Sequence, residues 1–302
     1  MINLRAAEKK LFGKTIAAMI VLCAWSSTSP AQTSSGRPDE GGAGAKGYVY
    51  WTNNANGSVG RATTAGTKVN ENFVKPENTI TGAGLTVDKN YLYWTSANGG
   101  TSTTIARANL NGSKVNYDFI TGAENPCGVA VNSSYIYWAG DVGSSIGRAN
   151  LDGSNANQDF IATGTGVCGV AVTKKYIYWA NYETHEIGRA NIDGSDANDS
   201  FISGCGSGVA VEGKYIYFTA ESGTAIGRAN IDGTDVNANF ISSLNGEIAF
   251  LAADKNYIYW ADWDDDAGTT IGRANIDGSK PNQNFVKGAI GPFGIAVTGG
   301  DP

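Results

Sequence analysis

A Tyr-x-Tyr-aromatic signature recurs six times in this 302-residue sequence and constrains its fold more than any other feature. Successive copies begin 39 to 44 residues apart. The copies start at Tyr48, Tyr91, Tyr135, Tyr176, Tyr215 and Tyr257. Because self-similarity at a period of roughly 20–50 residues is typical of repeat architectures, each copy is interpreted as one supersecondary unit.

Each repeat divides into four short β-type runs. The aromatic run is followed by Ile-Gly-Arg-Ala-Asn or a close variant. An Asn-Gly or Asp-Gly turn in most repeats, such as Asp152-Gly153, then leads to Asn/Asp-Phe-Ile, and the last run is small and apolar, as in Gly128–Val131. These turn dipeptides supply the positive φ angles that a tight hairpin needs. Four strands in about 42 residues is the period of a propeller blade.

The chain ends on a small apolar run, Gly294–Val297, but does not begin with one. The last strand is therefore predicted to enter the first blade and close a ring. The 41 glycines and the charged fraction of 17% agree with a turn-rich β-protein. We predict an all-β fold over residues 47–302, a six-bladed β-propeller of four-stranded antiparallel blades.

The spacings distinguish the two faces of the predicted disc. The distance from Arg to the following Phe is 12 residues in every repeat, and the small apolar run always begins 7 residues before the next Tyr. The connections from the second to the third strand, such as 182–185, and from the fourth to the first, such as 242–247, vary in length. Both emerge on one face, here called the variable face; the other is the constant face. Since recognition concentrates in loops, the variable face is the predicted recognition surface.

Residues 1–31 combine four basic residues with an apolar stretch, residues 15–25, and a small-x-Ala site ending at Ala31. This pattern is typical of a cleaved secretory signal peptide, with an uncleaved membrane anchor as the alternative. Residues 32–46 are interpreted as a flexible linker. The rest holds 18 basic and 27 acidic residues, a formal charge of −9. We expect a secreted or periplasmic monomer with no membrane span after cleavage and no nucleic-acid partner.

The repeated motifs over residues 48–298 resemble the YWTD β-propeller of the low-density lipoprotein receptor family. The resemblance implies a six-bladed, extracellular, protein-binding propeller, here as a stand-alone exported bacterial relative. The family's Asp ties blades together, but only Asp262 keeps it, so that network must be replaced or weakened. The other equivalents are Asn53, Ser96, Gly140, Asn181 and Ala220. The six repeat arginines are expected to be structural donors between blades, with ligand binding as the alternative: Arg61, Arg107, Arg148, Arg189, Arg228 and Arg273.

Candidate binding residues lie in two of the loops between second and third strands. They are Tyr182, Glu183, His185, Asp262, Trp263, Asp264, Asp265 and Asp266. Tyr182 and Trp263 occupy equivalent offsets and suit stacking on a sugar or a protein surface if exposed, or packing against a neighbouring loop. The single His is a candidate general base or metal ligand, or an exposed loop residue. The acidic run Asp264–Asp266 is a candidate Ca²⁺ site, or a solvated loop.

Three cysteines follow the predicted signal segment: Cys127, Cys168 and Cys205. All are expected near the central mouth of the variable face. Export permits one disulfide with an odd thiol left over, and the spacing does not choose the pair.

Three functions follow from these features. The first is a non-catalytic binding or scaffold module that recognises a protein or a cell-surface glycan through the variable face, with no cofactor. The second is a lactonase-like or lyase-like propeller enzyme with a Ca²⁺-dependent site at the central channel, near Glu124 and Glu247. The third is a purely structural envelope protein. Fold alone does not decide among them.

Overall fold

The chain folds as a six-bladed β-propeller, as the repeats predict. The computed structural model describes residues 47–75, 81–97, 103–141, 143–263 and 268–298, and these residues form 24 strands in six four-stranded antiparallel sheets. The described residues contain no helix, and hence none long and apolar enough to span a membrane.

The strands follow the repeat, with the inner strand named first for each blade. Blade 1 contains β24 (Pro292–Val297), β1 (Tyr48–Asn53), β2 (Val59–Thr63) and β3 (Asn70–Val74). Blade 2 contains β4 (Thr81–Val87), β5 (Tyr91–Ala97), β6 (Thr104–Asn109) and β7 (Asn116–Thr121). Blade 3 contains β8 (Pro126–Val131), β9 (Tyr135–Gly140), β10 (Ser145–Asn150) and β11 (Asn157–Ala162).

The remaining three blades repeat the same order. Blade 4 contains β12 (Val167–Val172), β13 (Tyr176–Asn181), β14 (Glu186–Asn191) and β15 (Asn198–Ser203). Blade 5 contains β16 (Cys205–Glu212), β17 (Tyr215–Ala220), β18 (Ile226–Asn230) and β19 (Asn237–Ile241). Blade 6 contains β20 (Ile248–Ala253), β21 (Tyr257–Asp262), β22 (Thr270–Asn275) and β23 (Asn282–Lys287).

The ring closes through the first and last strands, as predicted. In blade 1, β24 pairs antiparallel with β1, with Tyr50 opposite Ala296. The backbone N–H of Tyr48 donates to the Thr298 hydroxyl at 2.7 Å, across 250 residues of sequence. Blade 1 is thus assembled from both ends of the propeller.

The hydrophobic core lies between consecutive blades. One cluster, for example, joins Tyr93 and Ile105 of blade 2 to Ile136 and Trp138 of blade 3. Two glycine positions show how closely the strands approach. A Cβ on Gly128 would lie 2.3 Å from the carbonyl oxygen of Cys168, and one on Gly147 would lie 2.1 Å from the Trp138 ring. Neither position has room for a side chain.

The six repeat arginines are held in the blades. Each guanidinium stacks between a Tyr and a Phe of its own blade; the Arg148 carbon lies 4.4 Å from the centre of the Tyr135 ring and 3.8 Å from that of Phe160. Arg107 donates to the carbonyl of Leu151 at 3.3 Å, and Arg273 donates to the carbonyl of Thr64 at 2.8 Å. Both acceptors lie in the neighbouring blade, so these two arginines join blades.

Other polar groups take over at the positions where the family Asp is missing. The Asn181 side chain accepts from the backbone N–H groups of Glu183 and Thr184, each at 3.0 Å, and donates to the carbonyl of Thr165 at 2.9 Å. One residue earlier in the motif, the Thr95 hydroxyl donates across the blade boundary to the Cys127 carbonyl at 2.7 Å. At Asn181 an amide therefore takes the place of the missing carboxylate.

In blade 1 the replacement involves a buried acid. Asn53 occupies the motif position and donates to Glu71 at 3.3 Å, while the Trp51 indole N–H donates to the same carboxyl oxygen at 3.1 Å. Burial nevertheless dominates and raises the pKa of Glu71 to about 7, because the charged form loses its hydration.

Candidate binding face

The strand order fixes which loops share a face. Inner strands run from the variable face to the constant face, and each antiparallel neighbour reverses direction. The variable face, as the structure describes it, is formed by residues 54–58, 75, 103, 122–125, 141, 143–144, 163–166, 182–185, 204, 221–225, 242–247, 263, 268–269 and 288–291.

The mouth of the central channel on the variable face is filled by side chains. The Phe293 ring lies 5.4 Å from Phe250 and 5.6 Å from Trp263, centre to centre, the latter in a perpendicular arrangement. Phe250 and Trp263 belong to one buried cluster that also contains Tyr182 and Cys168, and the partly buried Phe293 packs against it. We use the name mouth plug for six residues of this region: Cys127, Cys168, Tyr182, Phe250, Trp263 and Phe293.

The expectation that Tyr182 and Trp263 are exposed is wrong. Tyr182 is 6% exposed and Trp263 is 3% exposed. Trp263 also donates its backbone N–H to the carbonyl of Glu247 at 2.8 Å. The alternative drawn from the sequence, packing against neighbouring elements, describes both rings, because each fills the mouth plug.

Tyr182 is anchored by a carboxylate from the adjacent blade. Its hydroxyl donates to Asp141 at 2.7 Å, and the Asn125 amide donates to the other carboxylate oxygen at 3.2 Å. Burial raises the pKa of Asp141, and so does the nearby charge of Glu183, while the Tyr182 and Asn125 hydrogen bonds lower it. Burial and the Asp141 charge raise the pKa of Tyr182, so its hydroxyl stays protonated as a donor.

His185 lies beside the first strand of the next blade. It has a positive φ of 58°, and its Nδ1 is 3.3 Å from the Cys205 carbonyl oxygen. Its Nε2 lies 3.7 Å from a carboxylate oxygen of Glu221. The side chain therefore connects the surfaces of blades 4 and 5 on the variable face.

The structure selects the disulfide that the sequence left open. Cys127 and Cys168 are bonded, with their Cα atoms 4.9 Å apart, and they join the inner strands of blades 3 and 4. Cys205 is a buried free thiol, and burial raises its pKa to about 12. It therefore remains a thiol rather than a thiolate at neutral pH.

Several carboxylates lie on the variable face along blades 3 to 6. Glu124, Glu183 and Glu221 are exposed, whereas Glu247 and Asp262 are partly buried. Glu183 accepts from the Thr165 hydroxyl at 2.8 Å, and Asp262 accepts from Thr270 at 2.9 Å. These groups place negative charge on the part of the variable face that blades 3 to 6 form.

The predicted Ca²⁺ ligands Asp264, Asp265 and Asp266 lie outside the described residues. Among the residues that the structure describes, no group of three or more His, Cys, Asp or Glu side chains is arranged to hold a metal.

The Asp-Gly turns of the constant face use their carboxylates to hold the turn. Asp152, for example, accepts from the Ser154 N–H at 2.9 Å and from the Ser154 hydroxyl at 2.6 Å.

Sequence reasoning missed three residues of this face. Phe250 takes the position that a Gly occupies in the other inner strands, and its side chain packs in the mouth plug. Phe293 occupies the position equivalent to Cys127 and Cys168, since each precedes the inner-strand Gly. Asp141 occupies the same offset as Tyr182 and Trp263, six residues after the first Tyr of its repeat. That shared offset was the available signal.

Comparison with known proteins supports the fold. No protein-family model matches the sequence, and no curated protein matches it either. A nidogen/laminin complex contains a similar chain, with a TM-score of 0.65 and 16% identity, covering 83% of this chain and 98% of that one. The computationally designed Ika8 protein matches with a TM-score of 0.46 and 11% identity, covering 77% of this chain and 70% of that one.

Proposed function

We propose that this chain is an exported, non-catalytic binding module that recognises a basic protein surface through its variable face. The observation that carries the proposal is the construction of that face. Loops of unequal length stand on a ring of repeated blades, the mouth between them is filled, and the loops of blades 3 to 5 carry the exposed carboxylates of Glu124, Glu183 and Glu221. A filled mouth favours a broad contact with a macromolecule over a small ligand held at this end of the channel.

The charge distribution supports a basic partner. The described connections of the constant face hold eight lysines and eight aspartates. The described connections of the variable face hold five carboxylates, from Glu124, Asp141, Glu183, Glu221 and Glu247, against one lysine, Lys75, and His185. Complementary charge raises association rates and selects partners of opposite sign. A protein surface rich in Lys and Arg is therefore the proposed partner. A neutral glycan would gain no electrostatic attraction from these carboxylates.

Two further observations support the proposal. One solved structure with a similar fold is a nidogen/laminin complex, in which one protein is bound to another. The Cys127–Cys168 disulfide is of a kind that persists in oxidising compartments and accords with export directed by residues 1–31. Mass spectrometry of the protein from its own host tests export: a chain beginning at Gln32 is expected, and one retaining Met1 contradicts cleavage.

The binding test reverses charge without disturbing the mouth plug. The Glu183→Lys/Glu221→Lys variant changes two exposed carboxylates, whereas changing Tyr182 or Trp263 would damage the core. The matched control is Asp118→Lys/Asp159→Lys, which makes the same charge change at exposed positions of the outer strands β7 and β11. Both variants are expected to melt within a few degrees of the original protein, because exposed substitutions change stability little.

The measurement is cross-linking capture from the medium and envelope of the native host. We expect a protein with a basic surface to be captured by the original chain and by the Asp118/Asp159 control. The Glu183/Glu221 variant is expected to lose it, and added salt to weaken it. Equal capture by both variants contradicts the face assignment. No captured protein favours the structural envelope role, and a captured glycan contradicts the proposed partner class.

A further inference from the structure

The central channel contains a cavity of about 800 Å³ that the proposed function does not use. It begins at Phe250, which belongs to the mouth plug, and extends along the inner strands to the constant face. There it is bordered by turn residues, including Asp88, Lys89 and Asn90. The channel is thus filled at one end and lined by exposed turn residues at the other.

The side chains that the inner strands contribute to the wall of the cavity are mostly apolar. Each inner strand contributes three equivalent successive residues, to which blade 6 adds Phe250, and the middle one of the three is alanine in five blades and Thr86 in blade 2. Ala130, Ala171 and Ala210 line the cavity and are 6%, 7% and 9% exposed, and each also belongs to a core cluster with residues of the following blade. Among the lining residues, only Asp88 and Lys89 carry charge, and both lie in the turn at the open end.

The wall also offers backbone hydrogen-bonding groups. Every inner strand is the last strand of its sheet and pairs with only one neighbour. Its other edge faces the axis, where the N–H and C=O groups have no second strand to pair with. An uncharged polar atom placed in the cavity can be satisfied there, whereas a charged group finds no counter-charge and is costly to bury.

We propose that this cavity is a binding site for one uncharged, largely apolar small molecule that enters from the constant face. The volume falls within the range of about 300–1,000 Å³ that is typical of small-molecule sites, and such sites are mostly apolar with a few polar groups. The site is separated from the proposed protein-binding surface by the mouth plug. A negative result for ligand binding in the cavity would therefore leave the proposed protein-binding function untouched, and the reverse also holds.

The test uses two dyes that share one aromatic skeleton. N-phenyl-1-naphthylamine is uncharged, and 8-anilino-1-naphthalenesulfonate is the same structure with a sulfonate. The fluorescence of both rises in apolar surroundings. We expect the uncharged dye to bind the folded protein saturably, one molecule per chain, and the anionic dye to bind at least about tenfold more weakly because its charge is not compensated in the wall.

Two variants fill the cavity from different blades: Ala130→Leu in blade 3 and Ala210→Leu in blade 5. Each is expected to weaken binding of the uncharged dye by about tenfold or more, since the added side chain occupies the space of the ligand. Circular dichroism and the melting temperature establish which of them is folded, and either folded variant suffices for the test. The control variants are Val69→Ser and Val236→Ser, which remove residues that are 42% and 46% exposed near the constant face.

The outcomes divide clearly. Saturable binding that is weakened by filling the cavity and unchanged in the Val69 and Val236 controls supports the site. Overturning results are an absence of saturable binding, equal binding by a folded filled variant, loss of binding in either control, or equal affinity for the two dyes. A cavity that holds only water gives the first of these.

Discussion

The two faces of the propeller are joined by the same 24 described strands, but the connections on one face are regular and those on the other are variable. On the constant face the turns are repeated with fixed lengths, and the channel extends to that face. On the variable face the loops differ, and residues from blades 1, 3, 4 and 6 fill the channel mouth. Repetition produces the scaffold, and departures from repetition produce the distinctive surface.

The largest effect is expected from disrupting the closed ring, because both faces depend on it. Deleting residues 294–302 takes most of β24 from blade 1 and leaves the apolar edge of β1 without its partner. We expect loss of cooperative folding, or a melting temperature lower by about 10 °C or more. Deleting only residues 299–302 is the matched control and is expected to be close to neutral. Similar melting of the two deletions would contradict closure through β24.

Phe250→Ala makes blade 6 resemble the others and removes a ring from the mouth plug. We expect a loss of about 4 kcal/mol in the free energy of unfolding, because a buried Phe is replaced by a cavity. Urea unfolding measures the change. The control Val236→Ala truncates a side chain that is 46% exposed and should change stability by less than about 0.5 kcal/mol. A Phe250 variant as stable as this control would show that the plug contributes nothing to stability.

Breaking the Cys127–Cys168 bond tests the other part of the plug. Its partners are 41 residues apart, so the bond restricts the unfolded chain considerably. The Cys127→Ala/Cys168→Ala variant is expected to lose about 3 kcal/mol of stability. Chemical unfolding of oxidised and reduced wild-type protein provides the same comparison without mutation. Coincident unfolding curves for these two forms would be the contrary result.

Glu71 gives the smallest expected effect, and one that depends on pH. Its folded pKa, about 7, lies above its ordinary value of 4.5, so folding favours the protonated acid. Its stabilising contribution is complete below about pH 4.5 and is lost as the pH rises through 7. Glu71→Gln should therefore raise stability by about 2 kcal/mol at pH 8, relative to its effect at pH 4. The measurement is urea unfolding at both pH values; an identical effect at each would contradict the raised pKa.

The fold was predictable because the strand motifs and the turn motifs recur together in each of the six repeats. The aromatic strand, the Asp-Gly turns and the small inner strand each recur at matching positions, and the terminal run Gly294–Val297 revealed closure. The face on which the variable loops lie followed from strand alternation alone. Period and spacing determine such features without any knowledge of side-chain packing.

The candidate site was harder to predict because it depends on contacts between blades. Tyr182 is held in its buried position by a hydrogen bond to Asp141, 41 residues away, and Trp263 is buried against Phe293. Likewise, the spacing of three cysteines does not reveal which two inner strands bring their Cα atoms within bonding range. The sequence located these residues on the correct face, whereas their burial follows from a mouth narrow enough for side chains of several blades to meet.

Closure of the ring also has a consequence for the order of assembly. Because Tyr48 pairs with residues about 250 positions later, blade 1 stays three-stranded until the end of the propeller has been synthesised. Such a distant pairing is entropically slow compared with the hairpins inside each blade. Until then, β1 has an open edge beside Trp51, and the last strand of a second copy has the same complementary sequence. Dilution during refolding should therefore favour monomers over strand-exchanged dimers.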